Sequence, residues 1–308
     1  MRVKNSNKKW LRTIGILLLV LLIGLIGYGF YIYNSFTKAV DTAYEPTERE
    51  KSEKRGEKIT LEETEPFSVL MLGVDEREGD KGRSDTMIVL TVNPIKSSIK
   101  MLSIPRDTRT DIVGHGTVDK INHAYAFGGV DMSVASVENF LDIPVDYYIK
   151  MNMDGFADIV DAVRGINVQN DLSFTQDSYH FNKGDIHLDG REALAYIRMR
   201  KNDPNGDFGR QKRQRQVIQG VIDKGVSIGS LTRLDDIFEA IGKNVKTDIA
   251  FSEMVEIQKN YKQASKKIDQ LTLEGSGQYL GDIWYLIVSE EEKIRVQTEL
   301  KTHLELNK

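Results

Sequence analysis

Three polar clusters hold the residue types that could do chemistry. The first is Gly73-Val-Asp75 followed by Gly82-Arg83-Ser-Asp85-Thr86. Asp75 falls just past an apolar run. Arg83 and Asp85 stand two apart where the next run begins, so strand alternation points both to one face. Two carboxylates converging at strand ends can hold Mg2+, or Mn2+ in its place, because such a cation takes a few carboxylate oxygens and completes its shell with water and phosphate. Asp and Gly are also ordinary turn residues, and the cluster alone leaves both readings open. The second cluster is Ser103-Ile-Pro105-Arg106-Asp107-Thr108. Pro105 ends sheet pairing and fixes the backbone before Arg106, which suits a bidentate phosphate contact. A surface Arg–Asp pair of little energetic worth is the plainer alternative.

The third cluster is the densest. Seven of the eighteen residues from Arg198 to Arg215 are basic, and arginine outnumbers lysine five to two. That bias favours planar phosphate recognition over mere solubility, although a charge run is most often a solvated face. Asp207 is placed to cap a following helix. Arg210, Arg213 and Gln214 would then share a face near its N-terminus, where the helix dipole favours anions. Asp207-Phe-Gly209 spells a kinase signature, but no glycine-rich loop, V-A-I-K or H-R-D accompanies it.

Composition narrows the field. The chain has 308 residues, a formal net charge of -4, 40% hydrophobic residues and 29% charged residues. This is the balance of a globular protein with a proper core, and the net charge argues against a general polyanion binder; no nucleic-acid partner is expected. With no cysteine, disulfides, zinc–thiolate sites and cysteine nucleophiles are excluded. The five histidines include no H-E-x-x-H pair.

The elements that must position these clusters follow from the apolar pattern. Residues 14–32 carry no charge, and nineteen helical residues span roughly 28 Å, close to a bilayer core. Arg2, Lys4, Lys8, Lys9 and Arg12 precede them, with Trp10 at one end and Tyr28, Tyr31 and Tyr33 at the other. This reads as an uncleaved anchor at 13–33, a cytoplasmic tail at 1–12 and a domain outside the cell membrane, a single-pass type II arrangement. A cleaved signal peptide would need a shorter core and a small-residue cleavage site. Residues 34–65 read as a charged linker: from Glu45 to Glu65 there are eight Glu and five Lys or Arg, too polar to fold alone.

The folded part, 66–308, alternates strands and helices. Strands are expected at 67–73, 86–92, 99–104, 147–151, 165–168, 268–273 and 283–288. Helices are expected at 121–126, 132–141, 155–163, 191–200, from 207 past 222, 234–241, 252–261 and from 290. The expected fold is α/β, with a central sheet covered by helices.

The three clusters, in this order behind an N-terminal anchor, resemble the LytR-CpsA-Psr family, and within it the teichoic acid transferases of Gram-positive bacteria. The matching stretches are Phe67–Asp75, Arg83–Thr91, Met101–Thr108, Lys120–Gly129, Asp146–Asp154 and Glu192–Gln216. They make 67–222 the motif core, and Arg198-x-Arg200 with Gly206-Asp207-Phe-Gly-Arg210-Gln-x-Arg213-Gln214 is specific to the family. The resemblance implies a mixed central sheet flanked by helices. It implies transfer of an anionic glycopolymer from a polyprenyl-pyrophosphate carrier at the membrane to the C6 hydroxyl of N-acetylmuramic acid in peptidoglycan. It implies Mg2+ on Asp75 and Asp85. It implies pyrophosphate contacts from Arg83, Arg106, Arg198, Arg200, Arg210 and Gln214, with Asp207 in the same site and Arg213 matching the motif. Of these, Arg83, Arg106 and Asp207 are the expected catalytic set.

Such a reaction needs positioning and charge neutralisation more than a covalent intermediate. Asp107 or Asp207 could serve as base toward the hydroxyl. Val134, Val137, Leu141, Phe156, Ile159 and Val163 could line a lipid groove, or simply pack the core. A hydrolase acting on the same carrier, or an envelope regulator without catalysis, are the competing readings.

Overall fold

The computed structural model describes residues 27–35, 37–76, 82–227, 240 and 242–306. Most of the expected anchor at 13–33 and nearly all of the expected helix at 234–241 lie outside them. Among the described residues no helix is long and apolar enough to cross a membrane.

Fourteen strands are described: β1 Phe67–Val74, β2 Ser84–Asn93, β3 Ser98–Ser103, β4 Arg109–Ile112, β5 Thr117–Lys120, β6 Tyr147–Asn152, β7 Ile166–Asn170, β8 Phe174–Gln176, β9 Tyr179–Phe181, β10 Gly184–Leu188, β11 Val245–Thr247, β12 Ile268–Thr272, β13 Ser276–Leu280 and β14 Ile283–Ile287. Residues 27–35 and 37–43 are helical (α1). The later helices are α2 His123–Leu141, α3 Met153–Ala162, α4 Gly190–Arg198, α5 Gly206–Ser227, α6 Phe251–Asn260 and α7 Glu290–His303. The two helical stretches expected at 121–141 are halves of α2, which breaks at Gly128 and Gly129, where φ reaches 66°.

The central sheet runs β11-β6-β1-β2-β3-β12. β1 pairs parallel with β6 and antiparallel with β2, and β3 pairs parallel with β12, so the sheet is mixed as expected. Its inner strands are apolar on both faces because both are covered. Leu70, Leu72, Val74, Met87 and Val89 face α2 and α7. Phe67, Val69, Ile88 and Leu90 face Ile218 of α5 and Tyr261 beyond α6. A smaller core joins α3, α4 and β7–β10 around the fully buried Tyr196. Each such side chain contributes roughly 1.5–3 kcal/mol on leaving water.

Part of the segment expected as a charged linker, 34–65, lies docked on the domain. Arg49 Nη1 donates to Glu138 at 2.6 Å, and Ser52 donates to the same carboxylate. Arg55 grips Asp146 through two nitrogens, each at 2.8 Å, and also donates to the Pro66 carbonyl. Residues 45–65 lack apolar groups for a core of their own, yet their cations match carboxylates that α2 and the loop before β6 present.

Candidate functional site

One end of the sheet gathers the first two clusters. β1 and β3 finish there and β2 starts there, the strand-end position at which α/β sheets open a crevice. The ladder between β1 and β2 pairs Gly73 with Thr86 and Val74 with Ser84, so Asp85 is an extra residue in a bulge. A bulge re-aims a side chain, and Asp85 turns into a cleft of about 510 Å3. Arg83 lies just before β2 and Asp85 in its bulge, and both line this cleft, as their spacing leads one to expect. Gly82 makes the approach possible: its φ is +68°, and a Cβ there would lie 2.2 Å from the Asp75 carbonyl oxygen.

The cleft is lined by Asp75, Arg83, Asp85, Arg106, Asp107, Lys120, Asn122 and His123, among others. Arg106 Nη1 meets Asp85 Oδ2 at 2.9 Å, and its Nε lies 3.7 Å from Asp107. Burial alone would lower the Arg106 pKa, but the charge and hydrogen bond of Asp85, then Asp107 and Asp207, raise it above its ordinary value. Lys120 Nζ meets the other Asp107 oxygen at 2.7 Å. Both acids expected as possible bases are therefore held by cations, for Asp207 faces Arg210 at 2.7 Å and Arg200 at 3.6 Å.

The third cluster approaches from the side. α5 begins at Gly206, so Asp207 stands inside the first turn and is not its cap. Its carboxylate instead accepts from Gln211 at 2.9 Å and pairs with Arg210. That pairing is close but misaligned, since Asp207 Oδ1 and Arg210 Nε are buried with no hydrogen-bond partner among the described residues. Burial lowers the Arg210 pKa and the cations of Arg106 and Arg200 add to this, against Asp207 and Asp85. A buried cation short of anions is a place where an added anion is favoured. Gln214 donates to Thr86 at 2.8 Å, tying α5 to the bulged strand.

Two expected clamp residues stand elsewhere. Arg213 is 5% exposed, and its donors go to the Tyr196 and Met199 carbonyls and to Asp203 at 2.6 Å. One turn along α5 its direction swings inward, so it latches the 199–205 loop and does not reach the cleft. Arg198 points to the surface, 3.8 Å from Asp177.

The expected lipid-lining residues are also divided. Val134, Val137 and Leu141 are closed into the core on the α2 side, while Val163 packs in the smaller core. Phe156 alone of the named residues borders a narrow apolar cavity of about 60 Å3, on the opposite sheet face. Met71, Ile149, Met151, Ile197 and Ile218 line it too, and Gly73, Thr86 and Gln214 form its boundary toward the cleft. Gly73 holds that boundary thin: a Cβ there would lie 2.9 Å from that of Thr86.

Sequence reasoning missed Lys120, Asn122 and His123, although it marked the stretch that contains them. Ile121 N donates to the Thr108 carbonyl and Asn122 N to that of Arg106, so the start of α2 is stitched to the Arg106 loop. The available signal was four polar residues, Asp119, Lys120, Asn122 and His123, crowded at a strand-to-helix junction.

The donor set also tests a divalent cation. Among the described residues no three His, Asp or Glu side chains cluster as a protein-only cage. Asp75 and Asp85 nevertheless open into one cleft, and Asp85 Oδ1 receives a long 3.4 Å contact from Asn122. Two carboxylates beside phosphate-seeking arginines fit Mg2+, which prefers few protein ligands and substrate oxygens.

Against known proteins, the LytR_cpsA_psr family profile matches residues 29–302. A polyisoprenyl-teichoic acid–peptidoglycan teichoic acid transferase, TagU, of Halalkalibacterium halodurans is 52% identical over 303 residues, covering 97% of this chain and all of that protein. The crystal structure of B. subtilis TagU aligns with TM-score 0.64 and 50% identity over 78% of this chain and 97% of that one. A structure of TagT bound to LI-WTA aligns with TM-score 0.72 and 32% identity, covering 85% and 99%.

Proposed function

The chain belongs to the LytR_cpsA_psr family, and from that membership and the cleft we propose that it transfers an anionic glycopolymer of the teichoic acid class from a polyprenyl-pyrophosphate carrier to the C6 hydroxyl of N-acetylmuramic acid in peptidoglycan. The observation that carries this reading is the shared cleft, where Asp75 and Asp85 stand opposite Arg83 and Arg106 beside the under-satisfied Arg210. Phosphoryl transfer asks a protein for positioning and electrostatic stabilisation, and this arrangement offers both.

Mg2+, held by Asp75 and Asp85, would neutralise the diphosphate. Arg106 is fixed by Asp85 and Asp107, so it meets charge developing on a bridging oxygen without reorganising first. Arg210 and Arg200 hold the remaining phosphate oxygens, and Arg83 closes the cleft from the bulge side. The apolar cavity beyond Thr86 and Gln214 faces the polyprenyl end. Its 60 Å3 is about two waters' share of liquid volume, so a long tail widens it or leaves by its mouth. The uncharged run at 14–32 anchors the domain beside this lipid-borne substrate.

Full-length protein in lipid nanodiscs, given a lipid-linked saccharide and peptidoglycan oligomers with Mg2+, tests the proposal. Saccharide joined to glycan is expected, with loss on chelation and recovery with Mg2+ or Mn2+. Free saccharide phosphate and lipid phosphate alone would overturn transfer in favour of hydrolysis.

A further inference from the structure

The acceptor hydroxyl still lacks a base, because Asp107 and Asp207 both face cations. Resting on the phosphotransferase reading, the geometry points to His123 as the catalytic residue that takes the hydroxyl proton, with Asp119 as its positioning residue. His123 lines the same cleft as Asp75, Asp85 and Arg106. It follows directly on Asn122, whose backbone donates to Arg106 and whose side chain reaches toward Asp85.

The imidazole is held at one nitrogen. Its Nδ1 lies 2.7 Å from Asp119 Oδ2. The other oxygen, Asp119 Oδ1, accepts from the Lys120 backbone at 2.7 Å and from the Tyr285 hydroxyl at 3.2 Å. Burial would raise the Asp119 pKa, but the bonds from His123, Lys120 and Tyr285 hold it below its ordinary value. An ionised acceptor at Nδ1 puts the proton there and leaves the Nε2 lone pair for catalysis, as an orienting carboxylate does in hydrolytic triads. Phe127 meets the His123 ring edge-on and lies flat against His115, 3.9 Å between centroids.

The step balances simply. The hydroxyl proton moves to Nε2 as the oxygen bonds to the saccharide-side phosphorus. The bond from that phosphorus to the bridging oxygen breaks, and its electron pair leaves on polyprenyl phosphate. The proton then passes to solvent. Several charges share the surroundings of His123. Asp119 and Lys120 come from β5. Arg109 of β4 and Tyr285 of β14 stack behind them. His115 lies beyond Phe127. Asp75, Arg83, Asp85, Arg106 and Asp107 line the cleft with it.

The test follows transfer by full-length wild type, His123→Gln and Asp119→Asn from about pH 5 to 9, which brackets the span of about pH 5 to 8 in which an imidazole titrates. Calorimetry with farnesyl pyrophosphate and Mg2+ checks donor binding in each. The wild-type rate should fall on the acid side as the base is protonated. His123→Gln should lower kcat by about 10²–10⁴-fold, keep farnesyl pyrophosphate binding and lose the acid limb. Asp119→Asn should lower kcat and move that limb while leaving the donor KM unchanged. A His123→Gln enzyme within a few-fold of wild type, or with the acid limb intact, overturns the proposal. So does a wild-type limb on the alkaline side that vanishes with His123, which would make it a phosphate-binding cation. If wild type only hydrolyses the donor, the transferase reading fails separately; an acid limb of hydrolysis that His123→Gln removes would still support His123 as base, toward water.

Discussion

Arg210 and Arg213 stand one turn apart on α5, and the structure uses them in opposite ways. Arg213 has two carbonyls and the carboxylate of Asp203 around it. Arg210 is nearly as buried, but its Nε has no partner among the described residues and its acid partner, Asp207, is misaligned. Both arginines face aspartates, and burial separates them little, with side chains 12% and 6% exposed. Saturation does. A cation with a partner at every nitrogen holds the fold together; one with a nitrogen left bare has something to offer a ligand.

The sharpest way to break this contrast is to remove the saturated member. Arg213→Ala strands Asp203, which is 4% exposed, and breaking a buried pair costs about 3–5 kcal/mol. Denaturant unfolding should register that loss, and a stable Arg213→Ala protein with no transfer would erase the distinction. Arg106→Ala and Arg210→Ala should do the reverse. Each should lower transfer by about 10²–10³-fold, as for an electrostatic donor at a transition state, while melting close to wild type.

The docked segment belongs with Arg213. Asp146→Asn should cost about 1–3 kcal/mol, seen in thermal melting, with little change in the transfer rate.

Two titrating groups extend the contrast to protons. Burial, with Lys100 and Lys96, lowers the His303 pKa to about 4. The unfolded chain therefore takes that proton first, and stability falls as pH drops from 6.5 toward 4. Burial raises Asp248 to about 6, so the folded chain takes its proton first and stability rises as pH drops from 6 toward 4. The two oppose each other, and the wild-type profile in that window should be nearly flat. His303→Gln should expose the rise and Asp248→Asn the fall, as Tm against pH. The smallest effect belongs to the exposed pair of Lys212, on α5, with Asp171 after β7: Lys212→Ala should change stability by about 0–1 kcal/mol and activity not at all.

The sequence makes β1, β2 and β3 legible to within two residues, because strands buried on both faces are written as unbroken apolar runs. It also locates α5 and all three clusters. The hairpins β4–β5 and β8–β9 and the strand β13 are hidden, being short and largely polar, whereas the apolar β14 is expected within one residue, at 283–288. The bulge that aims Asp85 is invisible, since one inserted residue leaves the composition of a strand unchanged. Arg213 reads like Arg210 because i and i+3 share a broad helix face, and only the position of the 199–205 loop turns one inward. Val134, Val137 and Leu141 are plainly apolar in sequence, but which side of the sheet they meet is a matter of topology.

The docked segment has a mechanical consequence. A pull on α1 is met by its own contacts to Phe251 and Lys246, by the pairing of Tyr44 and Glu45 with Thr247 on edge strand β11, then by Arg49 on Glu138 and Arg55 on Asp146. These contacts lie in series ahead of Phe67, where β1 enters the sheet. Tension along the chain is thus borne at the sheet edge and at two ion pairs. The strand end that carries Asp75 stays unloaded until those fasteners part.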